Sequence, residues 1–117
     1  MQTKEFFGNY SILDYNVSHR VLLLRGRLPD SKSIHSDIIF EGVFYIEMPT
    51  QLEGFVLYMA DDMITSQVIS TRYNYPFYPQ FNQAIYVLES EGKKYFVGCV
   101  RVLIKESNMN YMESSIK

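Results

Sequence analysis

The stretch from Ala84 to Lys105 leaves the chain least freedom. Two strand-like runs, Ala84–Ser90 and Lys93–Lys105, are separated only by Glu91-Gly92, and glycine supplies the positive φ that a tight hairpin turn needs. A two-residue loop fixes the register: Ser90 opposite Lys93, Glu89 opposite Lys94, Leu88 opposite Tyr95, Val87 opposite Phe96 and Tyr86 opposite Val97. One row pairs opposite charges and the next three are jointly apolar, as a correct register requires. Further on, Phe96, Gly98, Val100, Val102 and Ile104 share a face without a charge, which predicts one unbroken central strand.

The rest of the chain follows the same period. Ser36 to Pro49 is the longest strand-like run. Its even positions Ile38, Phe40, Gly42, Phe44, Ile46 and Met48 are uncharged and read as a core face, while its odd positions carry Glu41 and Glu47. Gly42 marks a bulge, a bend or a close backbone approach. Tyr10 to Val17 reads as a strand with a turn at Asn16-Val17-Ser18-His19, and residues 1 to 9 as a turn of helix or a lead-in strand. In Arg20–Leu28 one face is Leu22, Leu24, Gly26 and Leu28. Pro29–Ser33 is a loop by composition. Met63 to Ser70 reads as a strand from its β-branched residues, the alternative being a helix capped by Asp61 or Asp62.

These runs give an all-β fold, or a β-rich one with at most one short helix: six to seven antiparallel strands in a meander, as a curved sheet, sandwich or barrel. The 117 residues suit one domain, taken as residues 1–106, followed by a polar tail over 107–117. Residues 1–8 hold no apolar run of signal-peptide length and no segment reaches the ~20 apolar residues of a span, so the expected compartment is the cytoplasm, without a membrane partner.

Charge is uneven along the chain. Between Ser33 and Thr71 there is no Lys or Arg, yet Asp37, Glu41, Glu47, Glu53, Asp61 and Asp62 fall there. One reading pairs these acids with basic residues across strands; another is an acidic patch for a basic partner. The net charge of −2 gives no basic stripe for nucleic acid.

Catalytic groupings are thin. His19 and His35 read as exposed turn or loop residues and share no ligand spacing with Cys99, so no metal or cofactor is expected. Cys99 reads as a buried hydrophobe. Asp61 and Asp62 fit a turn cap better than an acid/base pair, and Glu41 and Glu47 lie ~20 Å apart along a strand. The chain is therefore not read as an enzyme. What remains is recognition: Tyr73–Phe81 packs Tyr73, Tyr75, Phe77, Tyr78 and Phe81 around two prolines. Either this loop folds its rings over an open end of the sheet, or it presents them to a partner.

The run Asp37–Pro49, followed by Leu52-Glu53-Gly54-Phe55, resembles the central Phe-x-Gly-Val strand and Pro-to-Gly turn of several families of small bacterial proteins. Some of these are of unknown function and others are immunity proteins carried beside polymorphic toxins; Leu22-Leu23-Leu24-Arg25 also has a counterpart there. The likeness covers residues 10 to 60 and leaves the aromatic loop without a counterpart. It implies a protein-binding module that neutralises a toxin, one with a basic surface if the acidic middle does the steering. The candidate partner residues are Glu41, Glu47, Glu53, Asp61, Asp62, Tyr73, Tyr75, Phe77 and Tyr78. A small-molecule-binding barrel and a homo-oligomeric structural protein are the alternatives.

Overall fold

The computed structural model describes residues 3–27, 34–108 and 112–116. The loop expected at Pro29–Ser33 lies outside the described residues. Among the described residues eight strands and one α-helix follow in order: β1 (Lys4–Asn16), β2 (Val21–Arg27), β3 (His35–Glu41), β4 (Tyr45–Glu47), β5 (Gln51–Met59), α1 (Asp62–Val68), β6 (Ala84–Ser90), β7 (Lys93–Cys99) and β8 (Arg101–Ser107). Every strand pairing is antiparallel, in one sheet ordered β4-β7-β6-β5-β1-β2-β3-β8. The β6–β7 register is the one the Glu91-Gly92 turn predicts, from Ser90↔Lys93 to Tyr86↔Val97.

Chain continuity makes this sheet roll. β3 and β4 stand six neighbours apart, as do β7 and β8, which in a flat sheet at about 4.8 Å per strand is ~29 Å. Yet Gly42–Phe44 alone joins β3 to β4, a reach of at most ~14 Å, and Val100 alone joins β7 to β8, ~7 Å. The two edges of the sheet must therefore meet. They do so along a seam: the β3–β8 ladder ends at Glu41↔Arg101 and the β4–β7 ladder begins at Tyr45↔Gly98. Three residues separate these pairs on one strand and two on the other, so one residue is bulged. Val100 N–H donates to Glu41 O at 2.8 Å and Phe44 N–H to Gly98 O at 2.9 Å, clamping both sides.

The bulge corrects the reading of 36–49 and 93–105 as unbroken strands. Ile38 and Phe40 point into the rolled sheet, but beyond Gly42 the core position passes to Val43, while Phe44 packs outside and Ile46 is exposed. On the partner strand Val97 and Cys99 point inward before Val100, and Val102 and Ile104 after it. Gly42 has φ +68° and a Cβ there would stand 2.8 Å from Val100 Cγ2, so glycine alone fits this corner.

The interior is filled by side chains. Leu22, Leu24, Ile38, Phe40, Leu57 and Leu88 are at most 1% exposed, joined by a ring cluster of Phe6, Tyr10 and Phe55 with centroids 5.1–5.5 Å apart. A second core lies outside, where Val68 of α1, flanked by Ile64 and Ile69, covers Ile85, Val87 and Phe96.

Met63 to Ser70 is thus helix and π-turn, not strand. Asp61 Oδ1 accepts from Ile64 N at 2.8 Å, and the one-turn spacing of Ile64 and Val68 matches the apolar outer face of β6; this packing overrides the β-propensity of the branched residues. A π-helical turn, Ile69–Tyr73, follows and ends at Asn74 in the left-handed region (φ 59°).

The chain end packs on the sheet. On the outer face of β2 and β3, Arg25 and Asp37 are fully buried and form a bidentate pair, Nε–Oδ1 2.7 Å and Nη2–Oδ2 3.0 Å. Arg25 Nη1 donates to Glu113 O at 2.7 Å, and Ser115 Oγ donates to Asp37 Oδ2 at 3.0 Å. Residues 112–116 of the expected polar tail therefore serve as the lid over an internal ion pair; 109–111 and 117 lie outside the described residues. His35 is a further correction, since β3 is flanked by β2 and β8 and the side chain is only 4% exposed. No helix among the described residues is long and apolar enough to cross a membrane.

Candidate functional site

Where the rolled sheet closes, a groove opens. β4 continues the strand of β3 but has no described strand on its side away from β7, and the space beside it is a cleft of about 460 Å³. Val43, Phe44 and Tyr45 form its floor. Tyr15, Val17 and Arg20 of the β1–β2 hairpin stand on one side, and Arg72, Tyr73 and Tyr75 on the other.

Each wall has a local cause. Phe44 lies flat against Gly98, whose absent side chain makes room: a Cβ there would stand 2.5 Å from the ring. Tyr73 then packs on Phe44 (5.1 Å between centroids) and Tyr45 (6.0 Å), Phe77 on Phe44 (6.1 Å) and Tyr75 on Tyr73 (5.5 Å). The π-turn sets Arg72 with its guanidinium 5.3 Å from the Phe96 ring centroid and its Nε 3.5 Å from Glu47 Oε1. The Tyr45 hydroxyl donates to Glu47 Oε1, and burial, that bond and the Glu47 charge push the phenol up to about 12. Arg20 sits at φ 54°, a left-handed conformation held by its carbonyl accepting from Val43 N at 2.9 Å. Such a residue costs of order 1–3 kcal/mol unless its surroundings impose it.

The aromatic loop is partly buried and partly exposed. Tyr73 and Phe77 are half-buried under the groove wall, whereas Tyr75 is 70% exposed. Tyr78 packs on Phe81 at 5.8 Å, and its backbone N–H donates to Gln83 Oε1, which braces the loop.

The acidic residues scatter. Glu41 is bound by Arg101 (Nε–Oε1 2.6 Å), Glu47 by Tyr45 and Arg72, and Asp61 is spent on the helix cap. Glu53, on β5, borders a separate depression of about 280 Å³, and Asp62 is exposed in the first turn of α1. Glu53 and Asp61 stand near opposite ends of β5, ~26 Å apart by strand rise. The segment without basic residues is thus met by Arg101 and Arg72 from elsewhere in the chain. Only Glu47 of these acids adjoins the rings.

The groove residues that sequence patterning missed are Tyr15, Arg20, Phe44, Tyr45 and Arg72. Gly42 was the available signal for Phe44, since a bend there turns it out of the core; Tyr45 already lay on the odd face. Cys99 is fully buried as expected, and burial pushes its thiol up to about 12.

No family model, curated protein or solved structure matches the chain.

Proposed function

We propose that this chain is a non-enzymatic protein-binding module whose binding face is the seam groove together with the exposed rings of Tyr75, Tyr78 and Phe81. The observation that carries this reading is the composition of that face. It brings tyrosines, phenylalanines and arginines together on a braced surface, and Tyr and Arg are the side chains that most often dominate binding energy, with little rotamer entropy lost per area for Tyr. Among the described residues no carboxylate, imidazole or thiol lines the groove, and its Tyr45 phenol, pushed up to about 12, stays protonated near neutral pH and so offers no base. The filled interior supports a surface site over a lumen for a carried small molecule.

The setting we propose is the one the resemblance over residues 10 to 60 implies, an immunity protein that covers the active surface of a toxin. Co-expression with the product of the neighbouring gene, followed by pull-down and a toxicity assay, tests it. Tyr75→Ala should weaken capture at unchanged stability, because the residue is 70% exposed. Failure to bind any adjacent toxin-like protein refutes the setting. Binding that Tyr75→Ala leaves intact refutes the face.

A further inference from the structure

Building on that reading, we infer that the groove takes an extended acidic segment of the partner, laid beside β4 and anchored by Arg20 and Arg72. Two independent observations lead there. The first is charge. On a chain of net charge −2, this cleft is lined among the described residues by two arginines and by no carboxylate, with Glu47 beside it bound to Tyr45 and Arg72. Arg20 is exposed at the rim, and its backbone is pinned by Val43. Arg72 faces Glu47 at 3.5 Å, long for a hydrogen bond, and its side chain is 47% exposed. A guanidinium carries five N–H donors in a planar fork, so Arg72 can accept an incoming carboxylate without giving up Glu47.

The second observation is the edge. β4 pairs with β7 on one side only among the described residues, and its other side borders the cleft. A segment adding to that edge is held extended, and its alternate side chains fall on one face about 7 Å apart. An edge of three residues offers few main-chain bonds. The arginines therefore set selectivity, and the rings of Tyr45, Tyr73 and Tyr75 cover the aliphatic stems of the acidic side chains. This reverses the charge sense drawn from the sequence: Asp37, Glu41, Glu47 and Asp61 of the middle segment are engaged within the fold, Glu53 and Asp62 are exposed outside the groove, and the partner supplies the negative charge.

The test is an NMR titration of the full chain with two blocked seven-residue peptides, one alternating Glu with Val and one alternating Lys with Val. The Glu peptide should shift the Ile46 amide and the Nε–H signals of Arg20 and Arg72, while the Lys peptide should not. Arg20→Asn, chosen because Asn tolerates positive φ, should weaken Glu-peptide binding roughly fivefold at unchanged stability. Equal shifts by both peptides, or none by the Glu peptide at millimolar concentration, overturn the inference. With a toxin partner in hand, capture lost in Tyr75→Ala but unaffected by Arg20→Asn and Arg72→Gln overturns the acidic anchor and leaves the protein-binding reading standing. Capture unaffected by all three overturns both.

Discussion

Replacing Asp37 with Ala should be among the most destabilising single changes in this chain. The carboxylate is fully buried and takes two bonds from Arg25 and one from Ser115. Its removal leaves a guanidinium inside the outer layer with only part of its hydrogen bonding, and breaking one side of a buried pair costs about 3–5 kcal/mol. A chain of this length holds ~6–18 kcal/mol in all, so urea midpoints should fall by about a sixth or more. The double variant Arg25→Met, Asp37→Leu separates the charge from the packing. Apolar replacement of both partners is often neutral or better, so it should recover most of the loss. It also removes the partners of Glu113 O and Ser115 Oγ, and so should speed amide exchange over residues 112–116. A single-variant cost below about 1 kcal/mol, the range of exposed pairs, would refute the claim that the chain end seals this pair from water.

Three further outcomes follow from packing and protonation. Gly98→Ala should cost about 1–3 kcal/mol by overpacking and dislodge Phe44, read as loss of ring-current shifts on the Phe44 and Tyr73 signals; a neutral effect would mean the ring can slide. Tyr58 is pushed up to about 12 by burial, by donating to Glu89 at 2.7 Å and by the charges of Glu89 and Asp61. The unfolded chain therefore loses this proton first, and stability should decline as pH rises from about 10 towards 12. Tyr58→Phe should flatten that decline in alkaline urea titrations, and an unchanged slope would assign it elsewhere. Cys99, with its thiol raised to about 12 and no exposed surface, should resist a thiol reagent at pH 8 until the protein unfolds; immediate labelling of native protein would contradict its burial.

How much of this was legible in the sequence depended on how local its cause was. The β6–β7 register follows from two turn residues and a period of two, and came through pair by pair. Leu22, Leu24 and Gly26 of the expected inward face of β2 did as well, while Leu28 lies outside the described residues. What failed were features decided by distant partners. Arg25 and Asp37 sit opposite each other in the β2–β3 ladder, but their burial comes from a segment nearly eighty residues further on. α1 is a seven-residue helix whose branched residues favour a strand, until the apolar outer face of β6 is there to receive Val68. The five aromatics of 73–81 were evident as a cluster. Which of them would be buried depended on Phe44 lying outside the core, and so on the bulge at Gly42.

That bulge ties the fold to the site. An unbroken strand from Ser36 to Pro49 would turn Phe44 into the core, and its partner would have no reason to leave one edge of the sheet for the other. Inserting one residue at the seam shifts the alternation, so Val43 takes the core position and Phe44 faces out over Gly98. It also bends β3 into β4 far enough to pair with β7, which brings the sheet edges together and leaves the far side of β4 without a strand among the described residues. The rings that Phe44 gathers and the edge that β4 exposes are thus two results of one backbone insertion. A variant that removes it, deletion of Val43, should therefore lose Glu-peptide binding and the β4–β7 amide protection together, whereas Tyr75→Ala should lose binding alone. If the deletion kept the groove and its binding, the seam and the site would be separate inventions of this sequence.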